Sequence, residues 1–194
     1  MHDQHLLTEI PTLLTNHYIL RSVTIDDTYA LFSILSNKNT MRFITANPIR
    51  SKEEMHKAIV KSLTKFADRQ EIPWVIIDKD SQSLIGQFRL HKLDFWHRKA
   101  EMGAVIHEDF QGKGVMTEVL KTMIPFVFET LEFNRLVGDI FAGNEGSRKL
   151  LEKFGFKKEG ILRQTDFDGE RYHDTIVYSL LAEDFTALGK SIFN

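Results

Sequence analysis

One short segment carries the spacing of a phosphate site. Ala104-Val105-Ile106 reads as the end of a strand, and His107-Glu108-Asp109-Phe110 as a polar turn. Gln111-Gly112-Lys113-Gly114-Val115-Met116-Thr117 then leads into an apolar-periodic run. Glycine permits left-handed backbone angles and lets a ligand approach the main chain. The free N–H groups of a first helical turn point at one spot. With the helix dipole they form an anion site that suits a pyrophosphate, and Lys113 adds positive charge nearby. A tight turn before a helix has the same local pattern. A dinucleotide fold would want a third glycine where Thr117 stands, and the motif on an early strand of a parallel sheet. A P-loop would end in Gly-Lys-Ser/Thr, which this run lacks.

The elements around it must hold that turn in place. Residues 17–23 alternate like a strand. Asp26 is placed to cap a helix through Ala30 to Leu35. Ser51-Lys52-Glu53-Glu54 is a capping box that opens a helix with Met55, Ile59, Leu63 and Phe66 on one stripe. Strands are expected over 74–78, 84–90 and 100–107, with a polar hairpin turn at 79–83. The helix after Gly114 is expected to reach about Leu131, and Pro125 should cost it a backbone hydrogen bond and kink it. A strand over 136–141 follows. Asn144 can cap a helix to Phe154 that stops at Gly155. Strands over 156–162 and 172–181, joined by a turn around Asp168-Gly169, complete the order β-α-α-β-β-β-α-β-α-β-β. That order is an α/β (α+β) fold with a mixed sheet of about six or seven strands flanked by helices.

At 194 residues the chain fits one domain, with 1–14 as an N-terminal arm and 183–194 as a tail. It has no cysteine, which removes disulfides and thiolate chemistry and fits a reducing compartment. A formal charge of −2 argues against direct nucleic-acid binding. The start of the chain shows no basic region leading into an apolar run, and no stretch approaches the ~18 apolar residues of a membrane span. A cytoplasmic protein without a membrane partner is expected. The eight histidines show no metal-ligand spacing, so no metal is expected. Trp74, Phe88, Phe95 and Trp96 read as packing residues, since no basic stripe accompanies them.

Gln111-Gly112-Lys113-Gly114-Val115-Met116 resembles the acetyl-CoA motif Gln/Arg-x-x-Gly-x-Gly/Ala of the GNAT acetyltransferases, with Met116 in place of the final small residue. Asn144-Glu145-Gly146-Ser147 and Phe154-Gly155-Phe156 look like the next motif of that family. The element order over about 15–182 is similar to the GNAT fold. Within the superfamily the segments 107–114, Asn144-x-x-Ser147 and Asp168-Gly169-x-x-Tyr172-His173-Asp174 resemble the RimJ/RimL ribosomal-protein N-terminal acetyltransferases. Spermidine acetyltransferases share Arg98-Lys99-Ala100-Glu101. The resemblance implies an N-acetyltransferase with acetyl-CoA as co-substrate. It implies that backbone groups of Ala104, Val105 and Ile106 hold the pantetheine, that amides from Gln111 through Thr117 hold the pyrophosphate, and that Asn144 touches the cofactor arm. A homodimer is an expectation from the resemblance alone.

Acetyl transfer needs a neutral amine, whereas an α-amine has a pKa near ~8 and a lysine-like amine near ~10. A base must take the proton, and an N–H donor must stabilise the oxyanion. Val105 or Ile106 is the candidate donor. Glu101 is the candidate base, on one strand face with 103 and 105; the alternative is a solvated carboxylate paired with Arg98 or Lys99. The family's usual acid is a Tyr at the position of Leu151. Ser147, one turn earlier, is the candidate proton donor, or else only a small polar residue of the first turn. Tyr172 and His173 are candidates for the substrate mouth, with His173 alternatively bonded within the sheet. The leading acceptor is a protein N-terminus, as of a ribosomal protein. The alternatives are a small amine (polyamine, amino acid or antibiotic) and a non-catalytic acyl-CoA-binding domain.

Overall fold

The computed structural model describes residues 7–168, 170–189 and 192. Its eight strands form one sheet in the order β1-β2-β3-β4-β5-β6-β8-β7. They are β1 (Leu13–Leu14), β2 (Tyr18–Ser22), β3 (Glu71–Asp78), β4 (Leu84–Asp94), β5 (Lys99–Ile106), β6 (Arg135–Phe141), β7 (Lys157–Phe167) and β8 (Tyr172–Leu181). β5 and β6 are parallel and the other neighbours antiparallel. A parallel pair needs a crossover, and α4 (Val115–Pro125) provides it.

The sheet is covered on both faces. On one side Val75, Ile77 and Val105 pack with Leu31 and Ile34 of α1 (Thr28–Leu35) and Met55 and Ile59 of α3 (Lys52–Ala67). On the other, Trp74, Phe88 and Ile106 pack with Val119, Leu120 and Met123 of α4 and Leu151 of α5 (Glu145–Lys153). This explains why residues 71–77 of β3 are all buried, rather than alternating. Pro73 is tolerated there because β2 ends opposite Trp74, leaving Pro73 a strand neighbour on one side only.

The site depends on where β5 and β6 part. Among the described residues their ladder consists of Lys99↔Arg135, Ala100↔Leu136 and Glu101↔Val137. Beyond that point β5 stays paired with β4 through Ile106, and β6 with β8 through Phe141. The facing edges of 102–106 and 138–141 therefore open into a wedge.

The sequence reading departs from the fold in several places. The sheet has eight strands rather than six or seven, because Leu13–Leu14 of the expected arm pairs with β2. Trp74 Nε1 also donates to the Pro11 carbonyl at 2.8 Å. Residues 1–6 of that arm lie outside the described residues, as does Gly169 of the expected turn. Asp26 is not the cap. A 3-10 turn over 25–27 precedes α1, with Thr24 as its N-cap; the Asp27 carboxylate reaches back to accept from Thr24 N–H at 2.8 Å and pairs with both Arg21 terminal nitrogens. Ser51 Oγ accepts from Glu54 N–H as expected, while Glu54 reaches back to Arg50 N–H. A short α2 (Lys38–Met41), capped by Asn37, was not anticipated.

Pro125 ends α4 as an α-helix without stopping the chain from coiling. A π-helical stretch over 126–130 follows, where Leu131 N–H donates to the Phe126 carbonyl. Proline removes one N–H and crowds the carbonyl four residues back, and a one-residue register slip relieves both. The expected tail instead forms α6 (Ala182–Leu188). Phe185 stacks on Phe128 at 5.2 Å, and Lys157 Nζ pairs with Asp184 Oδ1 at 2.5 Å.

Gly86 of β4 lies opposite Ile106, where the wedge wall is tightest. A Cβ there would sit 2.5 Å from the Val105 carbonyl oxygen. Gly86→Ala should cost about 1–3 kcal/mol of stability, read by chemical denaturation; an unchanged midpoint would contradict this packing.

Candidate active site

The first cleft lies in the wedge on the α4 face. It has a volume of about 700 Å³ and is lined by residues 102–106 of β5, the turn at 110–117, Gly138–Ile140 of β6 and the start of α5. Gly112 (φ 72°) and Gly114 (φ 84°) both adopt left-handed angles, and a Cβ on either would meet open space. Glycine is needed there for backbone angle, not for room. Gly114 is the N-cap of α4, so the amides of Val115, Met116 and Thr117 have no intrahelical acceptor. All three residues line the cleft.

Gln111 has a different place from the one expected of its amide. Its backbone N–H is taken by the Glu108 carbonyl, and its side-chain Nε2 donates to the Ile106 carbonyl at 2.9 Å. It ties the turn to the end of β5, and it occupies the Ile106 oxygen. Lys113 Nζ lies 5.6 Å from the centre of the Phe110 ring. Met116 is half-buried and packs on the core. The turn is also braced from the chain start: Glu118 in the first turn of α4 accepts from Thr15 Oγ1, His17 N–H and His17 Nδ1. These bonds lower the Glu118 pKa although burial opposes them, and Glu118 raises that of His17.

At the far wall, Asn144 caps α5, with Oδ1 accepting from Ser147 N–H at 3.1 Å. Asn144, Ser147 and Leu150 line the cleft. Leu151 is buried, 3% exposed, and its methyls come within 3.1–3.2 Å of where a Gly138 Cβ would stand. It packs the wedge floor and offers no proton.

The second cleft, about 680 Å³, lies on the α1/α3 face. It and the first cleft share residues 102–105 of β5, Asp139 and Ile140 of β6, and Phe43 and Ile44 after α2. Each cleft thus opens onto the same parted edges from opposite sides of the sheet.

Glu101 lines the second cleft, but its partner is Lys92 (2.8 Å), not Arg98 or Lys99. Arg98 Nε instead donates to the Glu132 carbonyl. Asp139 was missed. It stands two residues beyond Val137, the register partner of Glu101, so the two carboxylates share a face across the parting strands. Burial in the wedge wall and the nearby Glu101 charge push the Asp139 carboxyl up from the usual range. A charged residue inside the apolar run 136–141 was the available signal. Asp166 and Thr175 supply the β7/β8 side of this cleft.

Tyr172 and His173 line neither cleft. His173 Nε2 bonds the Asp168 carboxylate across the β7–β8 turn, and its ring lies 4.8 Å from Phe141. Tyr172 is exposed and packs on Phe167. Asp168 is held well below the usual carboxylate range by the Arg171 N–H, His173 and the Glu170 N–H.

The family model described as "Acetyltransferase (GNAT) domain" matches residues 17–157. The chain belongs to the GNAT acetyltransferases and is an acetyl-CoA-dependent N-acetyltransferase. It is 33% identical over 171 residues to the N-acetyltransferase YoaA of Bacillus subtilis, covering 88% of this chain and 97% of YoaA. It is 41% identical over 103 residues to YdaF of Bacillus subtilis, whose name assigns it provisionally to ribosomal N-acetylation; that match spans 53% of this chain and 56% of YdaF. The solved spermidine N-acetyltransferase of Vibrio cholerae, in complex with CoA and spermine, superposes with a TM-score of 0.79 at 25% identity. The match covers 88% of this chain and 98% of that one.

Gly114→Ala forces a Cβ into left-handed backbone at the N-cap, which costs about 1–2 kcal/mol or rotates the amides away. The Kd for CoA, measured by calorimetry, should rise about tenfold. An unchanged Kd would remove this turn from the cofactor site.

Proposed function

We propose that the chain transfers acetyl from acetyl-CoA to the α-amine of a protein N-terminus, by direct attack in a ternary complex. The observation that carries this reading is the meeting of two clefts at the parted edges of β5 and β6. A thioester lying along the first cleft and an amine entering from the second would face each other there without a covalent enzyme intermediate. The name of YdaF supports a ribosomal-protein acceptor. The cluster of Glu101, Asp139 and Asp166 in the second cleft also favours a cationic small molecule, and a polyamine is the second reading.

Cofactor roles fall to the backbone of Ala104, Val105 and Ile106 for the pantetheine arm. The amides of Gly112 through Thr117 take the pyrophosphate, and Asn144 the cofactor arm. The N–H of Ile106, on the open edge, would donate to the developing oxyanion, whereas that of Val105 faces β4, in the ladder that His107 N–H continues to the Ile85 carbonyl. The attacking ammonium must first lose a proton. Glu101 and Asp139 are the acceptors, with Asp139 facing both clefts and Lys92 offsetting the charge of Glu101. The amine then attacks the thioester carbonyl and the C–S bond breaks. Ser147 Oγ, in the cofactor cleft, would relay to the departing thiolate the second proton that the nitrogen sheds as the amide forms, so that the hydroxyl is restored. Tyr172 and His173 would act only through an acceptor long enough to reach the β7–β8 turn.

The pH profile tests this directly. A base with a raised pKa is active above that pKa, so kcat/KM should fall as pH drops through it. Asp139→Asn should lower kcat about 10²-fold or more and remove that acid limb, and Glu101→Gln should alter the same limb. Ser147→Ala should lower kcat with little change in KM for acetyl-CoA. A profile and turnover identical to wild type in all three would reject the assignment. Thiol release measured with N-terminal peptides and with spermidine separates the two acceptor readings.

A further inference from the structure

Arg89 and His91 project from β4 on the same face as Glu101, Gly103 and Val105. Across the ladder Arg89 pairs with Gly103, and His91 with Glu101. Gly103 has no side chain to fill the space above it. Arg89 Nε lies 3.4 Å and His91 Nε2 3.6 Å from where its Cβ would begin. Two nitrogen-bearing side chains therefore fold over one glycine and meet inside the second cleft, which both of them line.

The carboxylates of that cleft have partners or duties elsewhere. Glu101 is held by Lys92, Glu71 by Ser62 and Lys65, and Asp166 by Thr175. Asp139 faces the parted strands. Among the described residues the Arg89 side chain has no hydrogen bond or ion pair, although four carboxylates line the same cleft. A guanidinium is a planar fork of five donors that matches a carboxylate edge. Exposed and left open here, it presents its donors to whatever enters. Burial first, and then the Arg89 charge, push the His91 imidazole down, so it stays neutral beside the guanidinium.

We propose that Arg89, with His91 beside it, binds an anionic group of the acceptor: a carboxylate close to the reacting amine. The inference rests on the acetyl-transfer reading above and narrows its substrate class. Gly103 and Val105 are one strand repeat apart, about 7 Å. That is the span from an α-amine to an acidic side chain on the first or second residue of a peptide. The acceptor is then dipolar, its amine at Asp139 and Glu101 and its carboxylate at Arg89. A polyamine would set a second cation against the guanidinium. The carboxylate has two sources, an acidic side chain near a polypeptide N-terminus or the α-carboxylate of a free amino acid.

The test is thiol release at saturating acetyl-CoA with three acceptor sets. The first is a pair of hexapeptides differing only in Asp or Asn at position two. The second is a free amino acid against its α-amide, and the third is spermidine. The acid member of a pair should be preferred about tenfold or more in kcat/KM. Arg89→Gln should bring that ratio close to one, and Arg89→Lys should restore part of it. Calorimetry with CoA reports whether each variant is folded with an intact donor site. A preference confined to the free amino acid would overturn the peptide reading and leave Arg89 in its role. Equal rates on acid and amide members would overturn the role of Arg89 and leave the peptide reading standing. A ratio that survives Arg89→Gln, or spermidine as the best acceptor, would also overturn it.

Discussion

Two strands that begin as partners and then part set up everything else in this molecule. β5 and β6 pair through Glu101 and Val137 and then separate. Main-chain N–H and C=O groups on an interior strand edge are costly to leave without partners, so this edge is where an extended ligand can complete the sheet. Two elements on one face of the sheet, α4 and α5, hold the parting open. Leu151 presses against Gly138 on one face, and α4 crosses from the end of β5 back to the start of β6. Gly114 begins that helix, and Gln111 clamps the turn to Ile106. The anion site we propose is thus the first turn of the helix that the crossover requires.

Charge follows the same division. The first cleft offers backbone amides and a helix N-terminus, suited to a phosphorylated ligand. The second carries carboxylates near the split and a guanidinium further along β4, suited to an amine with an opposite charge nearby. Asp139 belongs to both clefts, and the low polarity of the wedge wall together with Glu101 makes it a better proton acceptor than a solvated carboxylate.

What was legible in the sequence is what local chemistry dictates. The two glycines, the Ser51 cap and the Asn144 cap each act within four residues, and each forms as read. The seven longer strands show as alternating or continuous apolar runs, β3 being the continuous one. The eighth was hidden because Leu13–Leu14 is two residues long and exists only through its pairing with β2. Likewise α6 depends on Phe185 meeting Phe128, a contact no local pattern announces. Site residues divide the same way. Glu101 was placed on its face correctly from strand periodicity, but its partner Lys92 comes from β4. Asp139 and Arg89 matter only through which strand lies beside which. Tyr172 and His173 looked functional by residue type, and the β7–β8 hairpin uses them to hold its own turn.

The central claim is that a ligand completes the open edge of β5 and caps the first turn of α4. Amide hydrogen exchange, followed residue by residue with and without CoA, tests it most directly. The account predicts strong added protection at the Ala104 and Ile106 amides, which face the gap, at Gly112 and Gly114, and at Val115 through Thr117. Little change is predicted in β2 and β3. Protection that leaves Ala104, Ile106 and 112–117 untouched, while CoA binds, would contradict it.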